Sequence, residues 1–562
     1  MPGDDCTGTH GTGVGWAPVK RRLKHWGWGY EDEWPAPAEL RASAGLLRSH
    51  LGLGAAEPEQ PVPLSAVELP RPRLKPPSSL SAFCASDAYE RALHAYGRSY
   101  RDVVRAFHGR FENPPDVVAR PREEAEVHAV LDWALAAGAA VIPYGGGTSV
   151  AGGVEAAGCE RYTGVVTIDL KGLDRVLEVD RISGAARIQA GAIGPRLESQ
   201  LAEHGLTLRH YPQSFQFSTL GGWVATRAAG HYATLYTHID DLVESVRALT
   251  PKGVWESRRL PGSGAGVSPD RMLLGSEGAL GVITEAWVRV RPRPVHRASA
   301  AVSFADFAGG AQAVRALAQA ALYPSNCRLI DAAEARVTGA GDGSHALLLL
   351  GFESAYHDVE PALSLGLECC GDHGGVWAAR GGARRRDDAA GSWREAFLRA
   401  PYLRDVCVAA GILSETIETA ITWERFPEFH ERVLAAAGAA VRETCGEGTI
   451  TCRFTHVYPD GPAPYYTILA PARRGGELSQ WAQIKAAASD AVIDAGGTIT
   501  HHHAVGRENR RWYDRQRPDA FALALSAAKR ALDPAGALNP GVLIDPPGPL
   551  SRRAPARRRA SA

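Results

Sequence analysis

A short apolar run, Val141–Tyr144, leads directly into three consecutive glycines, Gly145, Gly146 and Gly147, followed by Thr148 and Ser149. No other stretch narrows the choice of fold as much. Adjacent glycines permit positive φ and let main chain approach a ligand with no side chains in between. Their N–H groups can then converge on an anion, so the loop reads either as a pyrophosphate cradle or as an ordinary turn. The flanking residues favour the cradle. Upstream, PDVVARP is a short strand, and Val127, Val130, Leu131, Ala134 and Leu135 recur on one face of a helix that ends at Gly138. AAVIPY follows as a second strand. This is a βαβ unit with a right-handed crossover, its second strand delivering the chain into the glycines.

The spacing does not match GxGxxG followed by an acidic residue, which disfavours a nicotinamide-type dinucleotide fold. At 562 residues, 45% hydrophobic and 22% charged, the chain is long enough for several domains. Lys+Arg and Asp+Glu both number 62, so net charge points to neither nucleic acid nor anionic lipid. With no membrane-length apolar run and no signal-peptide core, the default location is the cytoplasm. Nine cysteines lack CxxC spacing, which argues against zinc and structural disulfides; Cys369 and Cys370 read as small residues near a helix end. Residues 1–15 read as a polar leader, 21–53 as an aromatic and helical arm, 54–80 as an extended connector, and 87–108 as an amphipathic helix.

PYGGGTSV, Ala190–Gly191, PQSFQFSTLGGWVATRAAG (212–230) and LLGSEGALGVITEAWVRVRPRP (273–294) together resemble the vanillyl-alcohol-oxidase (PCMH) type of FAD-binding domain. Within that superfamily the chain is similar to the alkyl-dihydroxyacetonephosphate synthases of ether-lipid synthesis. The likeness extends to the WGWGYEDE arm, to IDDLVESVRALTPKG (239–253) and to TITHHHAVGR (498–507). It implies an α+β fold: a two-part FAD-binding domain over 113–296 after an arm (1–112), then a cap with an antiparallel sheet over 297–545. The end of the cap returns to the FAD domain, and 546–562 form a disordered basic tail. FAD is implied, held without a covalent bond.

Three small-residue walls are implied for the cofactor. The first is Pro143, Tyr144, Gly145, Gly146, Gly147, Thr148 and Ser149. The second is Pro212, Gln213, Ser214, Ser218, Thr219, Gly222, Ala225, Thr226, Arg227 and Ala228. The third is Gly275, Ser276, Glu277, Gly278, Ala279, Leu280, Gly281 and Ile283. Such loops offer N–H donors to phosphates and to the flavin ring. GSEGALG also reads as a helix start, and Arg227 as a surface arginine.

In the cap, the likeness assigns Arg328 and Arg404 to the substrate cavity, Arg404 being the better phosphate clamp. Ion pairs with Asp331 and Asp405 are the competing readings. Tyr465 matches the catalytic tyrosine, with Tyr466 one residue away and on the opposite face of a strand. His501, His502, His503 and His210 match active-site histidines. On an extended segment three consecutive imidazoles alternate faces, which favours proton transfer over a metal site, and no metal is expected. The arginine-rich run RRRDD within 374–393 reads as a solvated loop.

The implied reaction replaces the acyl chain of acyl-dihydroxyacetone phosphate by a fatty alcohol through a flavin N5 adduct, without net redox change. The other enzyme reading is a FAD-linked dehydrogenase or oxidase of a 2-hydroxy acid such as lactate or glycolate, and a third is a non-catalytic flavoprotein. A lipid or small-molecule substrate is expected and nucleic acid is not. A homodimer and a peripheral contact at the inner membrane face are both compatible with the sequence. Gln213 and Ala504 depart from the synthase pattern, and the basic tail lacks a peroxisomal tripeptide.

Overall fold

The computed structural model describes residues 21–378 and 401–546. The polar leader, the arginine-rich run past 378 and the basic tail lie outside the described residues.

A small sheet carries the glycine loop. Its spatial order is Cys84–Ala85, Val117–Ala119, Val165–Asp169, Ala140–Tyr144. The two strands of the βαβ unit are therefore not neighbours. Val165–Asp169 runs between them, parallel to both. All five of its residues are buried, and a strand covered on both faces takes the central position. Helix Glu124–Ala136 covers this sheet with Val127, Val130, Leu131 and Ala134.

A second sheet is antiparallel, in the order Val176–Asp180, Ala185–Gln189, Val282–Arg289, Val243–Thr250, Gly253–Glu256. Ile188, Val246 and Ile283 from its strands share a core with Leu220, Trp223 and Val224 of helix Leu220–Thr226. The end of the chain joins this body. Val505, Val542, Leu543 and Ile544 enter the same core, and Leu538 pairs with Val141 beside the glycine loop.

The cap is a six-stranded antiparallel sheet: His296–Phe304, Ala346–Ser354, Asn326–Ile330, Thr449–Val457, Pro462–Pro471, Ile412–Glu418. Side chains alternate across a strand, and here the alternation divides two kinds of chemistry. Cys452, Phe454, Tyr466 and Ile468 pack into the core shared with helices Phe307–Gln319, Phe426–Cys445 and Glu477–Asp494. Thr451, Arg453, Thr455, Tyr465 and Thr467 line a cavity on the other face.

The segment expected as one helix over 87–108 is two, Ala88–Leu93 and Tyr100–Phe107, each with its own N-cap, Asp87 and Ser99. The break places main chain against the glycine loop. Arg98 N–H donates to Ser149 O at 2.6 Å, and a Cβ on Gly97 would stand 2.2 Å from the same oxygen. The N-terminal arm packs its aromatics as expected, Trp26 lying edge-on to Trp34 and Phe107 with centroids 4.8 and 5.2 Å away.

Candidate active site

A cavity of about 370 Å³ lies between the glycine loop, residues 211–231 and the open face of the cap sheet. Its first wall is main chain. Gly146, Gly147 and Thr148 N–H groups donate to no acceptor among the described residues. The loop lies so close to the second wall that side chains are excluded. A Cβ on Gly145 would stand 2.3 Å from Thr219 Oγ1, one on Gly146 1.9 Å from Phe217 O, and Gly147 has φ +67°. Free amides in a cradle that only glycine fits match a pyrophosphate.

From the second wall, Pro212, Gln213, Ser214, Ser218, Thr219, Gly222, Thr226 and Ala228 line the cavity. Thr219 caps helix Leu220–Thr226 by accepting from Gly222 N–H at 3.2 Å. Arg227 is turned away, in left-handed conformation, and pairs with Asp240. Ala225 is committed too, its carbonyl accepting from Glu277 N–H. Behind the first wall, Tyr144 is buried against His94, its hydroxyl donating to Leu93 O at 3.3 Å. Pro143 stands behind the loop as well, where a Cβ on Gly278 would meet its ring.

The third segment is placed differently. Gly275, Ser276, Glu277, Gly278, Ala279, Leu280, Gly281 and Ile283 do not line this cavity. The amides of Gly275, Ser276, Glu277 and Ala279 already donate to carbonyls within the protein. Ala279, Leu280 and Ile283 belong to the core. The segment is a buttress: Glu277 accepts from Val505 and Gly506 N–H at 2.9 and 2.8 Å, tying the C-terminal segment to the wall. Burial pushes this carboxyl up to about 7.

On the cap side the two tyrosines separate as strand geometry demands. Tyr465 faces the cavity, while Tyr466 is in the core with its hydroxyl 3.1 Å from His430 Nδ1. The Arg453 guanidinium lies 3.9 Å above the centre of the Tyr465 ring, held by Glu334 at 2.8 Å. Arg328 and Arg404 both line the cavity, and neither pairs with the adjacent aspartate. Asp331 accepts from Glu334 and Cys452 N–H, and Asp405 takes Lys24 at 3.1 Å and Trp28 N–H at 2.9 Å. Arg328 instead meets His231 Nδ1 at 2.9 Å, and burial lowers its pKa to about 9. Arg404 donates to Arg98 O at 3.0 Å.

The histidine triplet is not an extended strand. Its chain bends around one buried carboxylate, Glu418, which accepts from the N–H groups of His501, His502 and His503 at 2.6, 3.1 and 3.0 Å and from the Thr500 hydroxyl. Alternation therefore does not apply. His502 and His503 both reach the cavity, whereas His501 turns to Tyr458 (Nε2 to Oη, 2.8 Å) and stacks on His456. Burial pushes His503 down to about 3, so it is a neutral imidazole near neutral pH.

His456, His501 and His502 form one trio whose ring nitrogens lie within 4.8 Å of one another. Most of these nitrogens are engaged. His456 uses Thr455 Oγ1 and Gly230 O, and His501 uses Tyr458 and His502. A shared cation would have to displace those bonds. His210 lies apart from these groups. It is buried behind the second wall against Trp223, does not line the cavity, and is lowered by burial to about 3.

The other end of the cavity is apolar. Leu47 and Leu51 of helix Pro37–Leu51 cluster with Val337 and Leu469 there, and Leu403 also lines the cavity. Sequence reading passed over these residues, as well as Glu418, His456, His231, Arg453 and Glu334. The alternation Thr451, Arg453, Thr455 was a usable signal for Arg453. Glu418 had none, because its partners lie 83–85 residues away.

Comparison with known proteins agrees with this geometry. Residues 115–257 match the FAD binding domain family, and residues 293–543 match the C-terminal domain of FAD linked oxidases. The chain is 30% identical over 495 residues to an alkyldihydroxyacetonephosphate synthase of Caenorhabditis elegans, covering 82% of this chain and 81% of that protein. It is 29% identical over 480 residues to the Trypanosoma brucei brucei enzyme, covering 82% and 78%. A solved alkyldihydroxyacetonephosphate synthase superposes with a TM-score of 0.77 at 25% identity, covering 92% of this chain and 98% of that one. A glycine cradle, a cap bearing arginines, tyrosine and histidines, and relatives matched along most of their length lead to one conclusion: this chain is an FAD-dependent enzyme and belongs to the alkyldihydroxyacetonephosphate synthase family.

Proposed function

We propose that this enzyme exchanges the fatty acyl chain of acyl-dihydroxyacetone phosphate for a long-chain alcohol, forming the ether bond of an alkyl lipid precursor. The observation that carries this reading is the polarity of one cavity. One end gathers Arg328, Arg453, Tyr465, His502 and His503, and the other is walled by Leu47, Leu51 and Leu469. A phosphorylated head with a long apolar tail fits such a space, whereas a short 2-hydroxy acid leaves the apolar end unused.

Gly146, Gly147 and Thr148 would hold the FAD pyrophosphate, with Ser218, Thr219 and Thr226 across from them. When bound, FAD supplies covalent rather than net redox catalysis. Arg404 and Arg328 offer guanidinium groups to the phosphate. Leu47 and Leu51 keep water from the chain. His502 and Tyr465, on facing segments with ring centroids 6.1 Å apart, are placed to move protons at the head group.

Radiolabelled hexadecanol supplied with acyl-dihydroxyacetone phosphate tests the reading. Label should enter an ether product while fatty acid is released, with no electron acceptor added. Bleaching of the flavin by lactate or glycolate under anaerobic conditions, with no ether formed, would establish the dehydrogenase instead.

A further inference from the structure

Glu418 belongs to no motif, yet it sits at the centre of the histidine cluster. Its side chain is 3% exposed, and it comes from the end of strand Ile412–Glu418. Three successive backbone N–H groups and the Thr500 hydroxyl donate to it, so its charge is stabilised by donors fixed in place. Burial opposes the charge, but His502 and His503 beside it hold the carboxyl well below its usual range. It is a carboxylate near neutral pH.

A carboxylate has only acceptors. The His502 nitrogen nearest it, Nδ1, lies 3.2 Å from Oε2, and a lone pair there would face the carboxylate, which favours the proton on Nδ1. His501 Nδ1, 3.0 Å from the same atom, then accepts, and His501 Nε2–H donates to Tyr458. The remaining nitrogen of His502, Nε2, is left with a lone pair and has no hydrogen-bond partner among the described residues, on a ring that lines the cavity.

We infer that Glu418 is a positioning residue which fixes His502 in the Nδ1–H tautomer and so presents Nε2 to the substrate as the base. The inference rests on the function proposed above for the role of the base, but the tautomer itself does not. Glu418 orients the ring, sets which nitrogen is basic, and stabilises the imidazolium once a proton arrives at Nε2. The backbone bonds do a second job: they bend residues 500–503 so that His502 points inward at all.

The test is the imidazole ¹⁵N spectrum of the FAD-loaded full chain labelled at histidine, with His502 assigned from the signals lost in His502→Gln. The expected wild-type pattern is protonated Nδ1 and unprotonated Nε2. In Glu418→Gln the side-chain amide can donate to Nδ1, and the two signals should exchange. Alongside, kcat for alkyl exchange should fall about 10²–10⁴-fold in Glu418→Gln with KM and bound FAD unchanged. The double variant Glu418→Gln/His502→Gln should be no slower than His502→Gln, because the two act as one unit. A protonated Nε2 in the wild type overturns the inference without any variant having to fold. So does full activity of Glu418→Gln. Failure of the wild type to make ether, with the tautomer as expected, would sink the proposed function and leave the Glu418–His502 pair standing.

Discussion

The two walls of the cavity recognise by opposite means. On the FAD-domain side, contact is made by main chain, and Gly145, Gly146 and Gly147 matter for what they lack. On the cap side, contact is made by long side chains, each held by another: Arg453 by Glu334, His502 by Glu418, Arg328 by His231. A backbone wall can only be spoiled by adding atoms. A side-chain wall is spoiled by removing them, and in a graded way.

The contrast breaks most completely at Gly146. A Cβ there would stand 1.9 Å from the Phe217 carbonyl, which cannot rotate aside. Gly146→Val should purify without flavin and without activity, read from the visible absorbance of the purified protein; a yellow variant would remove the backbone cradle from the account. Next in size is Tyr465→Phe, which should keep its flavin while kcat falls about 10²–10⁴-fold. Tyr466→Phe is its control, since that hydroxyl meets His430 in the core, away from the cavity, and its kcat should stay near wild type.

Smaller again is Arg404→Ala. A charge-assisted bond is worth about 1.5–3 kcal/mol, so KM for the phosphorylated substrate should rise about 10–150-fold with kcat little changed. Equal KM values would move the clamp to Arg328 and Arg453.

The mildest effect lies behind the backbone wall, at His210. Burial lowers its folded pKa to about 3, against an ordinary value of 6.5. Below pH 6.5 the unfolded chain binds a proton that the folded protein refuses. Stability is therefore lost as pH falls through that window towards 3. Between pH 7 and pH 5 wild type should lose about 2 kcal/mol that His210→Phe does not. Urea unfolding at the two pH values measures the difference. A constant gap would mean that His210 titrates normally in the fold, contrary to its burial.

The FAD-domain wall was legible because its chemistry is contiguous. Glycines, Thr148 and Ser149 stand side by side in the chain, and so do Ser218, Thr219 and Gly222 with their cap. Gly275–Gly281 shares the same small-residue composition, and composition could not tell that the amides of Gly275, Ser276, Glu277 and Ala279 were already used. Likewise, the tyrosine pair left a choice of two that a strand's alternation settled only once the cap sheet had a covered face and an open one.

Local sequence alone thus determined the cofactor cradle, the cap as a mixed α+β body and the residue types gathered in the cavity, since each depends on neighbours within a few positions. Tertiary structure alone decided that Val165–Asp169 separates the βαβ strands, that helix Pro37–Leu51 closes the apolar end, and that Glu418 gathers the histidines. The physical reason is range. A backbone turn is set by the φ, ψ freedom of its own residues, whereas a buried carboxylate finds its donors only after strands far apart in sequence have packed.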